Sequence, residues 1–203
     1  MKRYSEIKYL VVLVALAAAA SVSGAAERAN KTLDNLQAAY NGESNAGAKY
    51  LEFGKQADNE GYGKAASLFR AAAAAEQIHR ACVAAVIKKA GASPRAEIKL
   101  PPVKSTKQNL EDSANKGEAY ERDTMYPRFI RQARADGNTD AARCFTYARA
   151  AEAEHFKLFE DAANNLGKMK GGATTYFVCR EGGYTMARLD PVKCPNGKYD
   201  EIK

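Results

Sequence analysis

Two four-residue motifs with the same pattern constrain this chain most. Its 203 residues include only two histidines, and each follows a glutamate by three positions, in Glu76–His79 and Glu152–His155. Both motifs lie in alanine-rich stretches with helical periodicity, where positions i and i+3 share one helix face. Because the chain has 24 acidic residues, chance alone would put an acidic residue three positions before each of the two histidines in roughly 1 to 2 % of cases. One such pair alone indicates an ordinary surface or core histidine, but the repeated pair indicates a shared role.

The surrounding pattern predicts an all-α fold. Apolar residues recur at steps of three and four, which is typical of helices that face a bundle core. Glycine and proline interrupt the pattern at NEGYG, at GASPRAEIKLPP and at ADGN. Two of these breaks are tight turns, whereas the middle one is long enough to cross from one end of a bundle to the other. We expect four amphipathic helices at about 26–58, 62–90, 105–136 and 139–167.

An internal repeat relates the two halves of this bundle. An offset of 76 residues aligns Tyr50 with Tyr126, and it also aligns the two Glu-x-x-His motifs. Further upstream the offset is 75, because Glu43 aligns with Glu118. One extra residue must therefore be accommodated between Glu118 and Tyr126, and a π-type bulge in the third helix is the natural way to do so.

The predicted core faces of the helices carry ionisable side chains. Glu43 interrupts the apolar face of the first helix, and the third helix offers Glu118 and Glu121 one turn apart. With the two motifs, this gives five carboxylates and two imidazoles pointing into one interior. Buried carboxylates without partners are costly, and no lysine or arginine on these faces offsets them, so we expect multivalent cations. The alternative is a metal-free structural bundle.

A glutamate from each of two helices and Glu-x-x-His from each of two others is the dinuclear carboxylate arrangement of ferritin-like bundles. Carboxylates with imidazoles suit iron or manganese, and two iron ions are our first choice. In this arrangement Glu76 and Glu152 bridge the metals, Glu43 and Glu118 are terminal, and each metal has one histidine. Glu121 is a seventh candidate ligand. The predicted metal ligands are Glu43, Glu76, His79, Glu118, Glu121, Glu152 and His155.

The N-terminal residues have the layout of a secretory signal. Three basic residues precede an apolar run from Tyr9 to about Ala20, and small residues follow, so we assign residues 1–25 to a signal peptide. An uncleaved membrane anchor is the alternative, because alanines extend the apolar run. In either case we expect an exported, periplasmic protein whose cysteines can form disulfides. The formal charge of +7 is spread along the chain without an arginine-aromatic cluster, so no nucleic-acid partner is expected.

At these motifs the sequence resembles the rubrerythrin family, over nearly all of the chain after the signal. NGESNAGAKY resembles the first-helix Gly-Glu-Ser segment, AEQIH and AEAEH resemble the two Glu-x-x-His helices, and KGEAYERDTMYPRF resembles the third-helix Gly-Glu-x-x-Glu segment before Met-Tyr-Pro. The resemblance implies a ferritin-like four-helix bundle at 26–168 and a loop-rich and β-rich, rubredoxin-like tail at 173–203.

The resemblance also implies an activity. Rubrerythrins reduce hydrogen peroxide to water at a diiron site, with electrons from a separate donor, which the sequence does not identify. In that family the extra glutamate and the second-helix histidine are alternative ligands of one iron, here Glu121 and His79. Tyr50 and Tyr126 are implied to hydrogen-bond to ligand carboxylates, with aromatic core packing as the alternative.

Other functional assignments stay open at this point. A ferritin-like protein that oxidises or binds iron, with dioxygen as the oxidant, is the main alternative function. A homodimer is expected only by analogy with the family.

The tail departs from the family pattern. Gly182 and Gly197 stand where the second cysteine of each Cys-x-x-Cys knuckle belongs, so we expect no rubredoxin-type iron. Since the metal-binding sulfurs of such knuckles converge, we expect a disulfide between Cys179 and Cys194, with free thiols as the alternative.

The two cysteines in the helices are assigned separately. Cys82 lies one turn after His79 and Cys144 two turns before Glu152, so in antiparallel helices we expect different heights and no bond between them. Buried apolar thiols are the predicted role of both.

Overall fold

A computed structural model describes the backbone of residues 3–203 and the side chains of residues 31–203. The predicted signal peptide, residues 1–25, lies outside the residues whose side chains are described. Among residues 31–203, no helix combines the length and apolar character needed to cross a membrane.

The fold is a bundle of four helices followed by a small sheet, which confirms the predicted fold class. The first helix is Arg3–Asn59 and the second is Gly63–Lys89. The third helix, residues 106–135, consists of four segments, and the fourth helix is Thr139–Asn164. The segments of the third helix are α-helical Thr106–Asp112, π-helical Ser113–Glu118 and Glu121–Met125, and α-helical Tyr126–Ala135. A short 3-10 helix, Leu166–Met169, follows the bundle.

Glycines close both tight turns of the bundle. Gly61, with φ of 78°, separates the first two helices, and Gly137, with φ of 69°, separates the last two. Backbone with positive φ is accessible to glycine at little cost, so each helix ends where the sequence predicts a break. Asn138 then caps the fourth helix, because its side chain accepts a hydrogen bond from the Ala141 N–H at 3.0 Å.

The long connection between the two hairpins lies along the first helix. Three amides spaced four residues apart on that helix, Gln37, Asn41 and Asn45, bond the backbone of residues 93–99. Beyond the connection, the Thr106 N–H donates to Glu60 at 2.9 Å. The third helix therefore starts at the end of the bundle where the second helix starts, and the fourth helix runs antiparallel to the second.

Two aromatic layers flank the middle of the bundle. One contains Tyr50, Phe53, Phe69 and Phe159, and the other contains Tyr126, Phe129, Phe145 and Val83. Each residue of the first layer has its counterpart in the second at an offset of 76, so the sequence repeat is also a repeat in packing. Ring centroids in each layer are 5 to 6 Å apart, as in ordinary aromatic contacts. The ionisable side chains lie between these layers.

The π-type bulge predicted in the third helix is confirmed. The Tyr126 N–H donates to the Glu121 carbonyl five residues earlier, as a π turn requires. A second π segment, Ser113–Glu118, was not predicted, and there the Ala119 N–H donates to the Ala114 carbonyl.

The tail forms a three-stranded antiparallel sheet. Its strands are β1, Tyr176–Cys179, β2, Thr185–Met186, and β3, Tyr199–Ile202, in the order β2-β1-β3. The predicted Cys179–Cys194 disulfide is confirmed, with Cα atoms 5.5 Å apart. Both cysteines are buried in a small apolar cluster of the tail.

The prediction of free thiols at Cys82 and Cys144 was wrong, because these residues form a disulfide with Cα atoms 5.8 Å apart. Cys82 lies six residues after Glu76, about 9 Å along its helix, and Cys144 lies eight residues before Glu152, about 12 Å. In antiparallel helices these two displacements point to the same end of the bundle. The cysteines therefore differ in height by only about 3 Å, within reach of a disulfide.

Candidate metal centre

All four helices contribute side chains to a polar layer between the aromatic layers. The first and third helices provide Glu43 and Glu118, and the second and fourth provide the two Glu-x-x-His motifs. Small residues let the backbones approach, since a Cβ on Gly47 would lie 3.6 Å from the Glu76 Cβ. None of the six side chains is more than 2 % exposed, so bulk water does not solvate their charges. They are Glu43, Glu76, His79, Glu118, Glu152 and His155.

The six residues form two overlapping clusters of ligand atoms. Glu43 and His79 belong to one cluster, Glu118 and His155 belong to the other, and Glu76 and Glu152 belong to both. Within each cluster the ligand atoms lie within 4.8 Å of one another. Two half-sites that share a pair of carboxylates are the arrangement expected for two bridged metal ions.

Both histidines turn the same ring nitrogen towards the carboxylates. His79 Nδ1 lies 2.9 Å from Glu76 Oε2 and 3.1 Å from Glu152 Oε1. His155 Nδ1 lies 2.7 Å from Glu152 Oε2 and 3.5 Å from Glu76 Oε1. The Nδ1 atoms are therefore the nitrogens available to a metal between the carboxylates.

The tail binds the other nitrogen of each ring. His79 Nε2 donates to the Gly182 carbonyl at 3.1 Å, and His155 Nε2 lies 2.9 Å from the Thr185 hydroxyl. A carbonyl only accepts, so His79 carries a proton on Nε2, which in the neutral ring leaves the Nδ1 lone pair free for a metal. The tail thereby fixes the orientation of both rings.

Each terminal carboxylate also has a tyrosine partner. The Tyr50 hydroxyl donates to Glu118, and the Tyr126 hydroxyl donates to Glu43. Both tyrosines are also buried and pack against rings of the aromatic layers. The two predicted alternatives, a hydrogen bond to a carboxylate and aromatic core packing, therefore both apply to these residues. Each tyrosine bonds the glutamate of the opposite helical hairpin.

Buried carboxylate oxygens that lack a hydrogen-bond partner indicate whether these residues fit metal ions. Among the described side chains, one oxygen in each of the four glutamates is buried without a hydrogen-bond partner: Glu43 Oε2, Glu76 Oε1, Glu118 Oε2 and Glu152 Oε1. Leaving four such atoms unpaired would be strongly destabilising, whereas coordination to divalent cations satisfies all of them. The donor set of carboxylates and imidazoles fits iron, so the clusters are able to hold a diiron site.

Where no metal binds, protons on the buried side chains balance part of the negative charge of the carboxylates. Burial raises the pKa of Glu118 to about 8, and burial next to Glu76 raises the pKa of Glu43 well above its usual range. For His155, burial opposes the charged ring, but the Glu152 carboxylate prevails and raises the pKa to about 9. For Glu152, burial is likewise overcome, because His79 and His155 lower its pKa. Metal binding must displace these protons.

Glu121 occupies a different position from the other predicted ligands. It is only partly buried and belongs to neither cluster, and its Oε1 lies 3.8 Å from the position of a Cβ on Gly42. Burial of the carboxyl group and the nearby Glu118 raise its pKa well above the usual range. His79, its predicted rival, lies inside a cluster.

Sequence reasoning missed the part that the tail plays at this site. Gly183 has φ of 74°, and a Cβ on it would lie 2.4 Å from His79 Nε2, so the close approach requires glycine. In the sequence, Gly182 stands out only as the residue in place of a cysteine, and Gly183 has no predicted role. The signal available was two adjacent glycines in a short hairpin, but nothing in the sequence says which helix the hairpin contacts.

Comparisons with known proteins agree with this geometry. The family model described as Rubrerythrin matches residues 34–163. Nigerythrin of Nitratidesulfovibrio vulgaris strain Hildenborough is 40 % identical over 167 residues, covering 81 % of this chain and 80 % of the relative. Rubrerythrin-2 of Clostridium acetobutylicum is 34 % identical, covering 81 % of this chain and 90 % of the relative.

Solved structures show the same fold. The fully reduced, all-ferrous state of nigerythrin superimposes with a TM-score of 0.70 at 38 % identity, covering 76 % of this chain and 75 % of that one. A bacterioferritin of Desulfovibrio desulfuricans gives a TM-score of 0.66 at 23 % identity, covering 72 % of this chain and 91 % of that one, which shows the fold alone. From the matched length and these identities, the chain belongs to the rubrerythrin family.

Proposed function

We propose that this chain is an exported diiron peroxidase that reduces hydrogen peroxide to water with electrons from an external donor. The observation that carries the proposal is the pair of half-sites sharing Glu76 and Glu152. A pair of iron ions cycling between ferrous and ferric states supplies two electrons, the number that turns one peroxide and two protons into two water molecules. Membership of a family of diiron oxidoreductases supports the same assignment.

The chain's own residues have distinct roles in this proposal. Glu76 and Glu152 would be shared by the two metals, Glu43 with His79 would complete one half-site, and Glu118 with His155 would complete the other. The tyrosines orient the terminal carboxylates, and the tail orients the imidazoles. Side chains held in this way would keep their own positions while the charge of the site changes.

Glu121 is the residue we assign to the exchange of ligands. Its Oε1 lies 3.8 Å from the position of a Cβ on Gly42, the residue before Glu43, and it is held in a π segment of the third helix. Burial and the nearby Glu118 raise the pKa of its carboxyl group well above the usual range. We infer that Glu121 and His79 would be alternative ligands of one metal.

Relatives support a site that exists in several oxidation states. Nigerythrin has been solved in a fully reduced, all-ferrous state, in a mixed-valent state and in a partially reduced state. We extend this behaviour to the present chain because it keeps the four carboxylates and two imidazoles together.

Anaerobic stopped-flow mixing tests the function. The diferrous protein is mixed separately with hydrogen peroxide and with dioxygen, and oxidation is followed by absorbance. We expect peroxide to oxidise the site much faster than dioxygen does. Fast oxidation by dioxygen with negligible reaction with peroxide would instead favour a ferritin-like iron-oxidising protein.

A variant tests the assignment of Glu121. Glu121→Ala should keep most of the iron, because the residue lies outside both clusters, and should slow peroxide turnover about tenfold or more, the scale of losing one supporting ligand. Asp123→Ala is the matched control, since Asp123 lies on the same helix but is exposed and pairs with Arg122. Equal turnover in both variants would contradict ligand exchange.

Export is the part of the proposal that rests on the first 25 residues alone. The intact mass of the protein purified from the periplasm of an expressing bacterium measures it. A mass that lacks about 25 residues supports a cleaved signal, and a full-length, membrane-bound product supports the anchor.

A further inference from the structure

The disulfide between the second and fourth helices lies next to the metal centre. Cys82 follows His79 by three residues, about 4.5 Å along the same helix. Its partner Cys144 is on the helix that carries Glu152 and His155. The bond thus joins the two helices that provide both imidazoles.

An open cavity gives access to this bond. It has a volume of about 640 Å³, and its lining includes His79, Cys82, Cys144, Tyr147 and Gly182. Cys82 is half-buried and Cys144 is 2 % exposed, so Cys82 is the more accessible cysteine of the pair. The charged pair Arg180 and Asp200, 2.6 Å apart, belongs to the same lining.

The second disulfide of the chain has a different environment. Cys179 is 0 % and Cys194 is 3 % exposed, and both pack within the tail. Disulfides that reagents can reach take part in thiol exchange, whereas enclosed ones resist reduction. All four cysteines are paired, and the Cys82–Cys144 pair lines the same cavity as His79, whereas Cys179 and Cys194 pack within the tail.

We propose that the Cys82–Cys144 disulfide is a redox-active pair through which an external dithiol delivers two electrons to the metal centre. The inference rests on the proposed peroxidase function and names the chemical class of its electron donor. A disulfide and its dithiol differ by two electrons and two protons, which is what one peroxide consumes.

The electron balance closes in three steps. A donor thiolate attacks the Cys82 sulfur, the Cys144 sulfur leaves as a thiol, and the second donor thiol releases Cys82 and forms the donor disulfide. Re-formation of the Cys82–Cys144 bond would release two electrons, for which a bound ferric pair would be the acceptor, and two protons. Peroxide takes up two electrons and two protons, so the net reaction is one peroxide and one dithiol giving two waters and one disulfide.

Thiol mapping on the metal-free wild-type chain is the first arm of the test. The protein is equilibrated anaerobically with graded ratios of reduced to oxidised dithiothreitol, alkylated and analysed by peptide mass. We expect Cys82 and Cys144 to become alkylated at a ratio at least tenfold lower than Cys179 and Cys194. Equal or reversed reduction of the two disulfides would overturn the proposal.

The second arm follows the thiols during turnover. Iron-loaded protein is reduced by dithiothreitol, desalted and mixed with peroxide in excess of its iron, and zinc-loaded protein is the redox-inert control. We expect the Cys82 and Cys144 thiols to disappear together, at least tenfold faster with iron than with zinc. Thiols that persist while the iron is oxidised would overturn this inference alone, whereas iron that peroxide does not oxidise would overturn the proposed function.

Paired variants separate the two disulfides. With dithiothreitol as sole reductant, Cys82→Ser with Cys144→Ser should lose at least nine-tenths of steady peroxide turnover. Cys179→Ser with Cys194→Ser, compared at equal iron content, should keep a larger share of turnover than the first variant, because these sulfurs are enclosed within the tail. Loss in the second variant with retention in the first would contradict the assignment.

Discussion

His79 and His155 each have one nitrogen for a metal and one for the tail. The Glu-x-x-His spacing predicted the first contact, because it places acid and imidazole on one helix face. The second contact was not predictable, since Gly182 and Thr185 lie 103 and 30 residues away from their histidines in the sequence. Positions of ligand residues follow from helical periodicity, but the partners that orient them follow from tertiary packing.

Thr185 is predicted to position His155. Thr185→Val removes the hydroxyl 2.9 Å from Nε2 at nearly constant volume, so the ring loses its orienting partner. We expect iron affinity to fall about 10- to 100-fold, as for other residues that orient metal-bound histidines. Competition with a chelator measures the affinity, and Thr185→Ser is the control that keeps the hydroxyl. Equal affinities of the Val and Ser variants would contradict the role.

Gly183 is predicted to be required for the contact between tail and bundle. Gly183→Ala places a Cβ 2.4 Å from His79 Nε2 and also forces alanine to φ of 74°. Gly197→Ala is the matched control, since Gly197 has φ of 61° but nothing within 4 Å of an added Cβ. We expect the control to lower the free energy of unfolding by about 1 to 2 kcal/mol from backbone strain, and Gly183→Ala to lower it further. Urea denaturation measures both, and equal losses would contradict the collision.

At the scale of elements, the third helix differs most from its counterpart in the repeat. Glu43 and Tyr50 are seven residues apart in the first helix, whereas Glu118 and Tyr126 are eight apart. This mismatch predicted the π segment Glu121–Met125, because Glu118 and Tyr126 must both face the core although one extra residue lies between them. The second π segment, Ser113–Glu118, does not coincide with a change of spacing in the sequence repeat, so the sequence did not predict it. The Cys82–Cys144 bond could have been predicted from the sequence. The heights of the two cysteines had to be compared with the second and fourth helices running in opposite directions.

Deletion of Thr124 tests what the π segment does. Removing this exposed residue restores the seven-residue spacing of the first helix, so two helical turns span seven residues instead of eight. Glu118 and Tyr126 then keep facing the core, while Glu121 turns by about 40° relative to them. We expect the iron content to be maintained and peroxide turnover to fall to that of Glu121→Ala. Thr124→Ala, which keeps the chain length, should behave as wild type. Wild-type turnover in the deletion variant would show that the π segment does not serve Glu121.

At the scale of the whole molecule, the buried charges at the centre decide how stability responds to pH. The repeat and the apolar helix faces predicted the bundle and the layer of acids. The degree to which these acids hold protons depends on burial and mutual distance, which only the folded structure provides. Without metal, protons on Glu118 and His155 reduce the net negative charge of the layer.

The metal-free protein is predicted to lose stability as pH rises. The pKa of Glu118 is about 8 in the folded state against an ordinary 4.5, and that of His155 is about 9 against 6.5. The folded state then binds more protons than the unfolded state, so unfolding becomes easier between about pH 5 and pH 9. The lowered pKa of Glu152 acts oppositely, adding stability that is lost only as pH falls below its ordinary value of 4.5.

Thermal unfolding at several pH values measures this dependence. We expect the midpoint of the metal-free protein to fall from pH 6 towards about pH 9, and zinc loading to weaken the trend because the metal replaces the protons. A midpoint that is flat or rises over this range would contradict the protonation of the layer.

The most direct test of the central claim is the number and coupling of iron ions in the protein. Mössbauer spectroscopy with metal analysis on protein loaded anaerobically with ⁵⁷Fe and then oxidised gives both. Two half-sites that share Glu76 and Glu152 predict two iron ions per chain, coupled through bridging carboxylates. Fewer than one iron per chain after loading, or isolated uncoupled iron, would contradict the account.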